Sequence, residues 1–153
     1  DPPFSPSALL GPQFGLLIVF LTVLVSITII LIQWSEKKHR VLSYVTLVLC
    51  SVAALLYLIT VHDTLAPLVL GLASHHCPYC LFQEFPDTAL FAGMFWVGVA
   101  SAGWRSILEI AWRREQLAEI HITGLTGFLL RLSSIALLFS MVSLVSHILV
   151  AIS

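Results

Sequence analysis

Long apolar runs separated by short polar breaks dominate the chain. Residues 15–34 and 41–61 carry no charge, 85–105 has Asp87 near its start and closes on Arg105, and 131–152 follows Arg131. Each run has the length of about 20 mostly apolar residues needed to cross a hydrocarbon layer about 30 Å thick. Runs this long and unbroken predict helices, because membrane barrel strands need only about 9–11 residues and alternate in polarity. The pattern therefore predicts an all-α integral membrane four-helix bundle, one transmembrane domain over 1–153. It places an outer loop at 62–84 and inner loops at 35–40 and 106–130. Within the second inner loop, 105–120 is expected to extend the third helix, and 122–130, with Gly124 and Gly127, to lie along the inner surface. The apolar stretch 64–74, broken by Pro67 and Gly71, is too short for another crossing and is expected to rest in the interface.

Composition narrows the class. Hydrophobic residues make up 59% of the chain and charged residues only 10%, against about 25% charged in an ordinary soluble domain. That excludes a water-soluble globule and a disordered tail. A net charge of −1 offers nothing to a polyanion, so no nucleic-acid partner is expected; the lipid bilayer is.

The basic residues set an orientation. Lys37, Lys38 and Arg40 lie between the first two helices, and Arg105, Arg113, Arg114 and Arg131 lie between the last two or at their inner ends. The N-terminal segment, the central loop and the C-terminal end hold none. By the positive-inside rule both termini and the central loop face outward, as they would in a bacterial inner membrane. Trp34, Trp104 and Trp112 fall near the inner boundary, where indole rings favour the interface. The opening DPPFSPSALLGP lacks a basic signal-peptide region and reads as an extended, external lead-in.

The outer loop carries the chemistry: His62-Asp63, then His75-His76-Cys77-Pro78-Tyr79-Cys80-Leu81-Phe82-Gln83-Glu84-Phe85-Pro86-Asp87. Pro86 beside Asp87 is a helix start, so the cysteine pair sits just ahead of, or on the first turn of, the third helix. A Cys-x-x-Cys pair serves a redox disulfide, a metal or covalent haem. Covalent haem needs His directly after the second Cys, where this chain has Leu81. For redox work, Pro78 stiffens the loop and His76 can stabilise a Cys77 thiolate; disulfides also persist outside the cytoplasm. Cys50, mid-helix among apolar residues, reads as a small buried hydrophobe.

Cys77-Pro-Tyr-Cys80-Leu-Phe-Gln83, where the chain re-enters the membrane after an outer loop, resembles the signature of the DsbB-type disulfide-generating membrane proteins. Vitamin K epoxide reductase-like proteins share the same four-helix redox logic. The likeness covers roughly 41–103. It implies that Cys77 and Cys80 form a reactive membrane-proximal disulfide that passes electrons to a quinone. Gln83, Glu84 and His76 would flank that quinone, and a thioredoxin-like protein would be the soluble partner. Glu84 stands where the family has Arg, and the family's second external cysteine pair has no counterpart among these 153 residues.

Two other classes stand beside this one. His62, His75, His76, Cys77, Cys80 and His147 share the outer end, and thiolate with imidazole suits copper or zinc. His62 and His147, on different helices, could instead hold a haem between them. Either cofactor would place the chain in a larger respiratory or metal-handling membrane complex. A purely structural subunit is the third class, since Gly and Ala on the third helix and Ser on the fourth permit close helix packing. His39 and His121 read as inner-surface residues. Asp63, Glu84 and Asp87 read as solvated loop carboxylates, and Glu109 as an i,i+4 partner of Arg105 or Arg113.

Overall fold

The computed structural model describes residues 11–35, 40–71, 77–115 and 119–153, with 12, 112–115 and 119–123 by backbone alone. Every element in it is helical: α1 (Pro12–Trp34), α2 (Arg40–Ile59), a π-helical stretch (Thr60–Leu65), α3 (Ala66–Leu70), α4 (Pro78–Glu84), α5 (Pro86–Glu115) and α6 (Glu119–Ile152). Three segments are long and apolar enough to cross a bilayer: Gln13–Trp34, Arg40–Leu70 and Gly124–Ile152. The fourth expected span, α5, is not one of these three, since Gly, Ser and Trp take many of its positions. It packs against α2 on one side and α6 on the other, while α1 packs against α2 and α6.

Two expected loops are largely helix. The outer loop expected at 62–84 begins instead as a continuation of α2, which runs through the π turn into α3 and ends only at Leu70. Pro67 does not break it, because the preceding turn is widened: the Ala66 N–H bonds the Val61 carbonyl five residues back. A π turn gives the proline ring room and absorbs its missing donor. Gly71 then ends α3 in the left-handed region at φ 65°, a conformation only glycine adopts without strain. In the inner connection expected at 106–130, α5 extends to Glu115, within the helical extension expected over 105–120, and α6 starts already at Glu119. Residues 122–130 thus belong to α6 and do not form a separate surface segment. Local propensity does not explain this, since Leu125, Leu129 and Leu130 are the only strong helix formers among 122–130; in an apolar run leading into a membrane, backbone groups left unbonded cost more than two glycines do.

Polarity runs inside out. The interior holds Thr22, Ser26, Thr46, Thr60, Ser133, Ser140 and Ser143, while Phe20, Leu31, Val48, Leu55, Phe139, Val142 and Leu149 lie on the outside. A water-soluble helical protein would reverse this. Small polar residues inside permit close helix approach and bond within the protein. Thr22 Oγ1 donates to the Ile18 carbonyl at 2.8 Å and accepts from Thr60 Oγ1 at 2.9 Å, joining α1 to the π stretch. At Gly98, α5 and α6 approach so closely that a Cβ would stand 2.8 Å from Leu137 Cγ and 3.1 Å from the Leu137 backbone nitrogen.

A polar network ties all four long helices at the end that carries Arg40 and Arg105. The Arg105 guanidinium donates to the Gln33 carbonyl at 3.0 Å and pairs with Glu109 at 2.9 Å, as the i,i+4 spacing anticipates. Ser43 Oγ donates to the other Glu109 oxygen at 3.0 Å. Gln33 Nε2 and Trp34 Nε1 donate to the hydroxyls of Ser133 and Ser134. The network therefore joins α1, α2, α5 and α6 at one level.

Glu109→Ala strands the Arg105 charge in a nearly buried setting, and a loss of about 3 kcal/mol in unfolding free energy is expected. Arg105→Met combined with Glu109→Leu should recover most of that loss; denaturation of the detergent-solubilised protein followed by circular dichroism measures both. Gly98→Leu should cost about 1–3 kcal/mol in the same assay through overpacking against Leu137.

Candidate thiol site and its aromatic pocket

The cysteine pair has its own short helix. Cys77 is the residue before α4, with extended backbone (φ −93°, ψ 107°), and Pro78 opens the helix with the φ that a first turn requires. Cys80 follows on the first turn. Leu81, fully buried, anchors α4 in the core, and Phe82 packs beside it. Phe85 alone separates α4 from α5: its N–H bonds the Leu81 carbonyl at 2.9 Å, and its carbonyl accepts the Thr88 N–H at 3.0 Å. Pro86 and Asp87 then begin α5 as the sequence predicts.

Both cysteines are free thiols, partly exposed and side by side, whereas Cys50 is buried in α2. The Cys80 backbone amide and then the Cys80 thiol hydrogen-bond the Cys77 sulfur and hold its pKa below that of an ordinary thiol. Cys80 is pushed the other way, first because its S–H bonds to Cys77, then by desolvation and by the negative charge of Cys77 and Glu84. The hydrogen bonds between them thus favour the thiolate at Cys77 and the protonated thiol at Cys80.

Beside α4 lies a cavity of about 430 Å³, lined by Tyr57, Leu58, Val61, His62, Asp63, Pro78, Phe82 and Trp96. Two of its aromatic side chains, Tyr57 and Trp96, belong to a stacked cluster. Tyr57 of α2 lies face to face with Phe95 of α5, centroids 3.8 Å apart, and Trp96 stands edge-on to both rings. The π turn contributes Val61, His62 and Asp63, giving polar groups at one edge of an otherwise apolar pocket.

The outer-end residues fall into two places. His62 and the thiol helix border the aromatic cavity. His147 lines a second cavity of about 390 Å³ with Val69, Phe85, Ser146, Val150 and Ala151. There its Nδ1 donates to the Ser143 carbonyl at 2.8 Å, and its Nε2 lies 2.9 Å from Asp87 Oδ2. His62 and His147, the pair expected to clamp a haem, thus line separate pockets. Among the described residues, no group of three or more His, Cys, Asp or Glu is placed to hold a metal ion. His75 and His76 lie outside the described residues, as does His39; Gln83 and Glu84 are exposed on α4.

Two carboxylates differ from expectation. Asp63 is buried at 4% exposure, drawn inward when the π turn replaces the expected loop. Asp87 is exposed but paired with His147. Tyr57, Phe95 and Trp96 went unrecognised in the sequence, where they are aromatic residues within apolar runs and carry no mark of facing one another. Comparison with protein-family models, curated proteins and solved structures found no match for this chain.

In the reduced protein near neutral pH, Cys77 should be alkylated by iodoacetamide before Cys80, because a lowered pKa leaves more thiolate at that pH. Cys50 should stay unlabelled until the protein is denatured. Peptide mass mapping after a brief pulse reads the order, and equal labelling of Cys77 and Cys80 would contradict the division of roles.

Proposed function

We propose that this protein is a membrane thiol–disulfide oxidoreductase of DsbB-like character, with Cys77 and Cys80 as the reactive pair and a quinone as electron acceptor. The observation that carries the reading is the contact between the thiol helix and the aromatic cavity: Pro78, adjacent to Cys77, and Phe82 form part of its wall. A cavity of this volume lies within the range of small-molecule sites, which are mostly apolar with a few polar groups. Tyr57, Phe82 and Trp96 suit a flat conjugated ring, His62 can donate to a quinone oxygen, and Asp63 can accept from the hydroquinone hydroxyl that forms.

The chemistry balances. When the Cys77–Cys80 bond forms, the two thiols give up two electrons and two protons, and a bound quinone supplies the sink for both as it becomes a hydroquinone. The lowered pKa of Cys77 favours the thiolate that such a step needs. A thioredoxin-like protein is the proposed source of reducing equivalents.

The proposal includes the finer topology. No charged residue lies between Asp87 and Arg105, a distance of about 27 Å at ~1.5 Å per helical residue, close to the hydrocarbon thickness. We therefore take α5 as a fourth crossing of a four-helix bundle, with Arg105 and its network inward. Both termini and the thiol helix then face outward, as in a bacterial inner membrane.

Addition of a short-chain benzoquinone to the reduced protein in lipid nanodiscs should consume two thiols for each hydroquinone formed. Cys77→Ser and Cys80→Ser should each abolish the reaction, and Trp96→Ala should raise the KM for quinone about tenfold. Quinone consumption that survives either cysteine substitution would overturn the assignment.

A further inference from the structure

His147 Nε2 and Asp87 Oδ2 lie 2.9 Å apart, an ion pair when the imidazole is protonated and the one such contact among the described residues that joins α5 to α6 at the thiol end. Its place in the chain gives it leverage. Asp87 sits on the first turn of α5, two residues after Phe85, the single-residue joint from which α4 and its cysteines project. His147 is itself fixed on α6. Its Nδ1 lies 2.8 Å from the Ser143 carbonyl, which can only accept, so Nδ1 donates there, with Ser143 Oγ 3.3 Å from the same nitrogen. Nε2 is then aimed at Asp87 Oδ2. Phe85 and His147 line the same small cavity, with Val69 of α3 on its other side. The joint, the ion pair and α3 therefore meet at one point.

A pair with one partner half exposed and the other at 22% contributes little to global stability. Its effect is local. It fixes the direction in which α5 starts and, through one intervening residue, the position of the thiol helix against the aromatic cavity.

We propose that His147 and Asp87 are positioning residues for the Cys77–Cys80 pair, acting by holding the first turn of α5 against α6. The functional consequence rests on the thiol–quinone reading above; the positioning itself does not. The test uses the full chain in lipid nanodiscs, reduced and without quinone, and measures iodoacetamide labelling of Cys77 and Cys80 separately. Asp87→Asn and His147→Gln should each change the Cys77-to-Cys80 rate ratio by about threefold. The double variant should do no more than either single one, as expected for two residues acting as a unit. His147→Lys, which restores a cation opposite Asp87, should return the ratio toward the parent value, a rescue that loss of packing alone would not give. Asp87 is on the surface, so Asp87→Asn keeps the test available if a His147 variant folds poorly. An unchanged ratio in Asp87→Asn, effects that add in the double variant, or no rescue by Lys would overturn the proposal. Labelling involves no electron transfer, so coupled labelling without quinone reduction would leave the positioning role standing and remove the redox reading.

Discussion

Polar groups among these helices bond mostly within the protein, because the surroundings that suit its exterior offer no partners; the buried exceptions include Gln33 Oε1, Thr64 Oγ1 and Arg105 Nε. The outward faces of α1, α2 and α6 are leucine, valine and phenylalanine, and in hydrocarbon an unsatisfied amide or hydroxyl costs several kcal/mol. The rest of the structure follows from that constraint. The backbone is helical throughout the described residues. Threonine and serine hydroxyls such as Thr22, Ser26 and Thr46 bond carbonyls of the preceding turn, and Arg105 pairs with Glu109 and Asp87 with His147. Even the proline in the α2 continuation is accommodated by widening one turn and not by breaking the helix.

The same constraint distributes polar contacts to the two ends. At the basic end, Arg105, Glu109, Gln33 and Ser43 join the four long helices; at the thiol end the His147–Asp87 pair joins α5 to α6. Between them the helices meet through small residues and through the stack of Tyr57 on Phe95. The molecule is thus tied at both ends and packed by shape in the middle. The aromatic cavity opens beside that stack, where the π turn bends Val61, His62 and Asp63 toward the thiol helix. A π turn is a weaker register than an α turn and recurs at functional sites; here its effect is to bring two polar side chains to the edge of an apolar pocket.

Division of labour between the two cysteines arises locally. Cys77 precedes a helix and receives hydrogen bonds from the first turn; Cys80 lies within that turn and donates to its neighbour. No charge from the protein interior is required. What the interior adds is location: Leu81 pins α4 into the core, and Pro78 and Phe82 of the same helix stand in the wall of the aromatic cavity.

Composition and run length alone determined that the chain is helical and suited to a membrane, because crossing hydrocarbon demands long apolar stretches that leave an unmistakable linear record. The Cys-x-x-Cys pair, the Pro86–Asp87 helix start and the Arg105–Glu109 pairing were equally legible, being matters of residues at most four apart. Loops were overestimated where Pro or Gly interrupted an apolar run, at 64–70 and 122–130, since local propensity does not report the packing that carries a helix through such a residue. Only the tertiary structure decided that Asp63 is buried, that Asp87 meets His147, and that Tyr57, Phe95 and Trp96 form one aromatic cluster. Those contacts join residues distant in the chain, and the partner of a side chain across a helix interface is fixed by the rotation and crossing of the helices, which no one segment encodes.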